Sequence, residues 1–246
     1  MSDLRTRWKS TWKAAGGSIA AGEILFDDLI LRYQEGLRHY HTIAHVEAML
    51  NHLDEFRAVD ESNMVHFGVV AMTVWYHDVV YYPYARNNEL QSARLFTLVG
   101  KLGYLEESFI KRVVEGIIAT THHRPSDSPN IRTLCDIDLA ILGQPESAFN
   151  RYEQQIRLEY DMVPENQFRT ERRKILAQFL ERPRIYQTDF FKERYEQQAQ
   201  ENLARSIEQL SQPASNSDSG DDRGETRSFR EDILRSGTLA FPPDKH

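Results

Sequence analysis

Apolar residues recur at spacings of three and four along most of the chain, which predicts helices rather than strands. Val46, Met49, Leu50 and Leu53 form one such stripe in TIAHVEAMLNHLDEF, which is therefore expected to be an amphipathic helix. The same pattern occurs in NNELQSARLFTLVGKLG, ESFIKRVVEGIIATTHH, ESAFNRYEQQIRLEY, ENQFRTERRKILAQFLER and YEQQAQENLARSIEQL. The chain shows no series of alternating segments joined by hairpin turns. The pattern predicts an all-α protein.

The stretch SNMVHFGVVAMTVWYHDVVYY is apolar nearly all round, as expected for a helix at the centre of a core. Ser62 is the residue expected to cap its start. Because His66, His77 and Asp78 interrupt the apolar run, the segment is interpreted as a buried helix and not as a membrane span.

The stretch NIRTLCDIDLAILG is short enough to be a strand or a helix. The spacing of Leu134, Asp138 and Ile141 favours a helix, and Gly143 is expected to end it. Beyond about residue 210 the apolar period disappears, and SQPASNSDSGDDRGETRS is rich in serine, aspartate and glycine. The sequence therefore predicts one all-α domain over 1–210 and a disordered tail over 211–246.

Composition narrows the possible partners and the compartment. Hydrophobic residues make up 40% of the 246 residues and charged residues 27%, an ordinary mixture for a globular domain. The net charge of -7 argues against general attraction to nucleic acid or to anionic membranes. Cys135 is the single cysteine, so no internal disulfide can form, and the first residues lack the apolar run of a signal peptide. We expect a cytoplasmic protein.

Histidine and aspartate recur in four otherwise apolar segments, which is the distribution that a metal site inside a helical core requires. These segments are RHYHTIAHV, WYHDVV, THHRPSDS and CDIDLAIL. Asp78 is the most telling residue, because an ionised carboxylate in so apolar a setting is costly unless it is paired or bound to a metal.

The ordered set RHYHTIAHV, WYHDVVY, NNELQSA, ATTHH and DIDLAILG resembles the HD superfamily of metal-dependent phosphohydrolases, in particular its uncharacterised predicted-phosphohydrolase branch. The motifs cover about residues 38–143. The resemblance implies an HD-domain helical bundle with a metal site in its core. It also implies a divalent ion, which could be Mn, Fe, Co, Ni, Zn or Mg, with Mg the least natural choice for mixed histidine and aspartate ligands.

The resemblance implies that His45, His77, Asp78 and one later aspartate hold the metal. That aspartate is Asp136 or Asp138. Two residues apart on a helix they point to nearly opposite sides, so only one is expected to reach the ion. Asp138 is favoured because it shares a stripe with the core-facing apolar residues around it.

The resemblance also implies roles in catalysis. The spacing Tyr40-His41-x-x-x-His45 is similar to an element of the cyclic-nucleotide phosphodiesterases, in which the first histidine donates a proton to the leaving oxygen. The residues expected to act in catalysis are therefore His41, Asp78 and Glu89, and those expected to bind the substrate phosphate are Arg38, His122 and His123.

Several of these candidate site residues also have a simpler structural interpretation. His77 and Asp78 could form a buried structural ion pair, and a histidine near a helix C-terminus is favoured by the helix dipole. For Glu89 the ordinary interpretation, an acid near a helix start, is the stronger one, and for Arg38 it is solvation. His122 and His123 could instead complete a second metal site.

The expected function is hydrolysis of a small phosphorylated metabolite or nucleotide, as a monoester or diester, by a metal-activated water. The alternative is a non-catalytic nucleotide-binding or sensor module that the metal stabilises. An oxygenase with two irons on the same core is a lesser possibility. Substrate identity, metal count and oligomeric state are left open by the sequence.

Overall fold

The computed structural model describes residues 2–60 and 64–212. These residues form ten α-helices, with no strand among them: α1 (Ser2–Ala14), α2 (Ile19–Tyr33), α3 (Ile43–Arg57), α4 (Phe67–Tyr76), α5 (Asn88–Leu102), α6 (Glu107–Ala119), α7 (Pro129–Asp138), α8 (Glu146–Glu159), α9 (Glu165–Leu180) and α10 (Asp189–Ser211). A 3-10 helix, Leu139–Gly143, continues from α7. The prediction of an all-α protein is confirmed.

Helix ends are set by local signals where the sequence carries them. The Thr42 hydroxyl accepts a hydrogen bond from the Ala44 N–H and starts α3. Gly103 follows α5, as expected for a helix stop. The segment from Pro129 to Gly143 is helical throughout, and Pro129 occupies the first turn, where a missing N–H costs nothing.

The central apolar helix is shorter than predicted. Helix α4 begins at Phe67 and ends at Tyr76, so His77 and Asp78 lie in the turn that follows and not inside the helix. The Arg38 guanidinium donates to the carbonyl oxygens of Asp78 and Val79. These two oxygens therefore have hydrogen bonds without the N–H groups that a longer helix would supply. Ser62, the predicted cap, lies outside the described residues.

Helix α4 lies at the centre of the fold and packs against α1, α3, α6 and α7. Its Trp75 is fully buried and meets Trp8 of α1 edge to face, with ring centroids 5.6 Å apart. Trp8 in turn stacks on Trp12 at 5.4 Å. Buried side chains from α1 through α10 belong to one continuous cluster, and this rigid core fixes the helix ends that carry the site.

Among the described residues, no helix is both long and apolar enough to cross a membrane. The predicted disordered tail lies outside the described residues from position 213 onward.

Candidate metal centre

Three separate elements bring potential metal ligands to one point in the core. His45 is in the first turn of α3, His77 follows α4, and Asp138 is the last residue of α7. One nitrogen or oxygen of each lies within 4.8 Å of the other two. His45 Nε2 is 3.2 Å from Asp138 Oδ1 and 3.3 Å from His77 Nε2, and the remaining distance, His77 Nε2 to Asp138 Oδ1, is 3.9 Å.

Asp78 adds a second carboxylate to this group. Its Oδ2 lies 3.0 Å from His77 Nε2 and 3.9 Å from His45 Nε2. His77 and Asp78 follow the last residue of α4, and both side chains reach one point although adjacent residues on a helix diverge by about 100°. The four residues His45, His77, Asp78 and Asp138 are hereafter the metal cluster. Their side chains are between 1% and 14% exposed, so water can solvate them only weakly.

The atoms of the cluster fit a shared divalent ion. Two ligands at about 2.1 Å from one ion, seen at roughly right angles, lie about 3 Å apart, close to the shortest distances here. His77 Nδ1 is 3.0 Å from the Val74 carbonyl oxygen, which places a proton on Nδ1, so a bound ion would take the place of the second ring proton on Nε2, which faces the other ligands. A histidine that donates its second nitrogen to a carbonyl is the usual arrangement at metal sites.

The electrostatics of the cluster favour a cation. Burial lowers the pKa of His77, but the neighbouring Asp78 and Asp138 carboxylates outweigh it and raise the pKa to about 9. Burial alone would raise the pKa of Asp138, yet hydrogen bonds from His123 and His45 hold it well below its usual range. The site therefore carries two ionised carboxylates in a buried setting, and a divalent ion would neutralise them.

The structure separates Asp136 from Asp138. Asp136, in α7, is completely buried and faces the start of α10. It accepts hydrogen bonds of 2.7 Å from the backbone N–H groups of Gln187 and Thr188 and from the Thr188 hydroxyl. Its oxygens are thus occupied in holding a helix start. Asp138 alone of the two joins the metal cluster.

His122 and His123 lie in the turn after α6, since that helix ends at Ala119. His123 Nε2 is 2.8 Å from Asp138 Oδ2, the carboxylate oxygen that does not face His45. The His122 side chain is exposed and lines the adjoining cleft. The two neighbours therefore differ, because only His123 contacts the cluster.

A cleft of about 480 Å³ opens beside Asp78 and Asp138. It is lined by ionisable and aromatic side chains, among them His41, Glu89, Arg86, His122, His123, Tyr40, Tyr81, Tyr152, Tyr160 and Phe179. Glu89 is partly buried in its wall, and burial raises the pKa of this carboxyl. The volume and the mixed lining are typical of a small-molecule site.

His41 is held in the cleft wall by a buried carboxylate that the sequence analysis did not identify. Glu159, at the end of α8, accepts a hydrogen bond from His41 Nδ1 at 2.6 Å and from the Tyr81 hydroxyl at 2.8 Å. It also accepts from the backbone N–H groups of His39, Tyr40 and His41 at 2.8–2.9 Å. The Tyr81 ring stacks on the His41 ring at 4.2 Å. The imidazole is therefore fixed by a hydrogen bond at Nδ1 and by a stacked ring on one face.

The surroundings of His41 and Glu159 favour an ionised pair. Burial opposes charge on both groups, but their mutual hydrogen bond and attraction lower the pKa of Glu159 to about 2 and raise the pKa of His41. Because Nδ1 is taken by Glu159, Nε2 is the nitrogen of His41 left to donate a proton.

Arg38, predicted to bind the substrate phosphate, is not among the residues that line the cleft. Its side chain is fully buried, and its guanidinium donates to the carbonyl oxygens of His41, Asp78 and Val79 at 2.7–3.1 Å. Arg38 thus ties the loop before α3 to the turn after α4. The sequence alone could not show this, because the accepting carbonyls belong to a turn whose position was predicted as helix.

Two other arginines line the cleft. Arg86 is exposed at its rim. Arg172, in α9, is buried and is bonded to the Glu153 carboxylate and the Tyr152 hydroxyl. Neither was identified from the sequence, since both lie outside the histidine and aspartate motifs. Arg86 is the better placed of the two to meet a soluble anion.

Comparison with known proteins adds no relative: no family model, no curated protein and no solved structure matches this chain.

Proposed function

We propose that the protein is a metal-dependent phosphohydrolase built on an HD-domain helical bundle. Its substrate is a small phosphorylated metabolite or nucleotide. The observation that carries the proposal is the convergence of His45, His77, Asp78 and Asp138 on one point at the edge of a cleft. The order of these residues along the chain, and the resemblance it creates, support the assignment to the HD superfamily.

The chain supplies what such a reaction needs besides the ion. A divalent ion held by the four residues would lower the pKa of a water and polarise a phosphoryl oxygen. Glu159 raises the pKa of His41 and orients its ring, so Nε2 of the protonated imidazole can give a proton to the departing oxygen. Glu89, in the wall of the same cleft, can accept a proton from the attacking water. Of the three predicted catalytic residues, Asp78 serves through the metal cluster.

The cleft can hold a small anion despite the negative charge of the whole protein. Arg86, His122 and His123 line it and offer donors to phosphate oxygens. Tyrosine rings that also line it provide apolar surface for the organic part of the ester. A lining with both cationic and aromatic side chains supports a phosphate ester with a compact organic group.

The second candidate is a non-catalytic module that uses the metal for stability. It is favoured by the burial of Arg38, since the cation expected to bind phosphate is used instead to hold the fold together. Both candidates require the metal, but only the enzyme requires His41 and Glu159 to act on a substrate.

The test is release of inorganic phosphate or an alcohol from a panel of phosphate monoesters and diesters, with Mn²⁺, Fe²⁺, Co²⁺, Ni²⁺, Zn²⁺ and Mg²⁺ supplied in turn. His77→Ala is expected to abolish activity, and His41→Gln to reduce it by about 10²–10⁴-fold with metal binding retained. His66→Ala is the control, because His66 is exposed and makes no side-chain cap bond. Binding of a nucleotide without turnover would favour the second candidate.

A further inference from the structure

His123 has a backbone conformation that histidine rarely adopts. Its φ is 47°, in the left-handed region, and its N–H closes the end of α6 by donating to the Ala119 carbonyl at 3.1 Å. At this position after a helix the usual residue is glycine, which has no Cβ to strain. A histidine here carries a backbone cost that glycine would not.

The His123 side chain contacts the metal cluster. His123 Nε2 bonds Asp138 Oδ2 at 2.8 Å, while Asp138 Oδ1 lies 3.2 Å from His45 Nε2. The imidazole thus holds the outer oxygen of the carboxylate, and the inner oxygen faces the other ligands. Hydrogen bonds to the outer atoms of ligands orient them, and losing one typically weakens metal binding by about 10–100-fold.

The strained turn is held from outside by Arg182. This residue follows α9, and its two terminal nitrogens donate to the carbonyl oxygens of His123 at 2.8 Å and of His122 at 3.1 Å. Its guanidinium also lies over the Phe179 ring, 4.4 Å from the centroid. The planar guanidinium with its fixed fork suits this task, because it bonds two successive carbonyls at once. Arg182 is not among the cleft-lining residues.

We propose that Arg182 is a positioning residue for the metal cluster, acting through the His122–His123 turn and the His123 imidazole on Asp138. The inference rests on the proposed function only in assuming that the cluster binds a divalent ion. The hydrogen bonds of Arg182 go to the backbone of the His122–His123 turn and not to the four residues of the metal cluster, so its effect on metal binding is expected to pass through that turn.

The test is Mn²⁺ binding by isothermal titration calorimetry, with thermal unfolding of the metal-free protein measured in parallel. The variants are Arg182→Met, His123→Gly and the double variant. Arg169→Met is the matched control, since Arg169, in α9 itself, also donates to two carbonyls at a helix end, those of Gln209 and Gln212, but far from the cluster. His123→Gly removes the imidazole and also relieves the left-handed strain, so this variant is expected to fold at least as stably as wild type.

We expect Arg182→Met and His123→Gly each to weaken Mn²⁺ binding by about 10–100-fold, with Arg169→Met unchanged. The double variant is expected to bind no more weakly than His123→Gly, because Arg182 acts only through His123. Wild-type affinity in Arg182→Met, or additive losses in the double variant, would overturn the inference while leaving the metal centre intact. Absence of Mn²⁺ binding by wild type would instead overturn the metal centre itself.

Discussion

His41 Nδ1 and Glu159 Oε2 lie 2.6 Å apart although 118 residues separate them in the chain. The contact joins the loop before α3 to the last turn of α8, and three backbone N–H groups of that loop bond the same carboxylate. Glu159 therefore has two effects: it fixes the loop, and it raises the pKa of the His41 imidazole at the edge of the cleft. Both consequences can be measured separately.

The first consequence concerns the pH dependence of catalysis. Glu159 raises the pKa of His41, and His41 has to be protonated to act as an acid. In Glu159→Gln the side chain keeps its shape but loses its charge, so the alkaline limb of the kcat profile is expected to move to lower pH. Glu165→Gln, which alters an exposed ion pair, is the control. An unshifted alkaline limb would show that His41 is not the acid.

The second consequence concerns stability in acid. The pKa of Glu159 falls from 4.5 to about 2 on folding, so its contribution is fully present above pH 4.5 and is lost as the pH falls toward 2. The full contribution is about 3 kcal/mol. Urea unfolding of wild type between pH 5.5 and pH 3 is expected to show this loss, and Glu159→Gln is expected to show a flatter dependence. Parallel curves for the two proteins would contradict the assignment.

The third prediction distinguishes the roles of Asp136 and Asp138. Asp138→Asn removes a charged member of the metal cluster and is expected to abolish stabilisation by added metal, which is about 2.7 kcal/mol at 100 times Kd. Asp136→Asn weakens the start of α10 and is expected to cost about 1–3 kcal/mol of unfolding free energy with metal binding retained. Thermal unfolding with and without Mn²⁺ distinguishes them. Loss of metal binding in Asp136→Asn alone would reverse the assignment.

The fourth prediction concerns Arg38. Because its guanidinium bonds three buried carbonyls, Arg38→Met is expected to lower the unfolding free energy by about 2–4 kcal/mol. At a temperature where the variant stays folded, KM for a phosphate ester is expected to be unchanged. A raised KM in a variant of wild-type stability would restore the phosphate-binding role predicted from the sequence.

The sequence predicted helices from α3 onward because their apolar stripes are local features, but it assigned no individual segment to α1 or α2. The end of α4 was mispredicted, since the residues after Tyr76 remain apolar and the turn is stabilised by Arg38, which is distant in sequence. Alternation along α7 allowed only one of Asp136 and Asp138 to face the cluster, and the structure shows the other capping α10. That second role could not be read from spacing.

Glu159 and Arg182 escaped the sequence analysis for the same physical reason. Each lies at the end of a helix whose surface is rich in charged residues, where one more acid or base carries no signal. Their importance comes from the backbone and imidazole groups that they meet after folding. Candidate metal ligands can be recognised in a sequence by their residue types. Residues that hold such ligands in place are recognised only from the folded structure.

The most direct test of the central claim is the metal content of the purified protein, measured by elemental analysis for wild type and for the His77→Ala/Asp78→Ala double variant. The account predicts about one or two divalent ions per wild-type chain, bound at purification or after incubation with Mn²⁺ or Ni²⁺, and none in the variant. A wild-type protein that remains free of metal after that incubation would contradict it, since His45, His77, Asp78 and Asp138 would then not be a working ligand set.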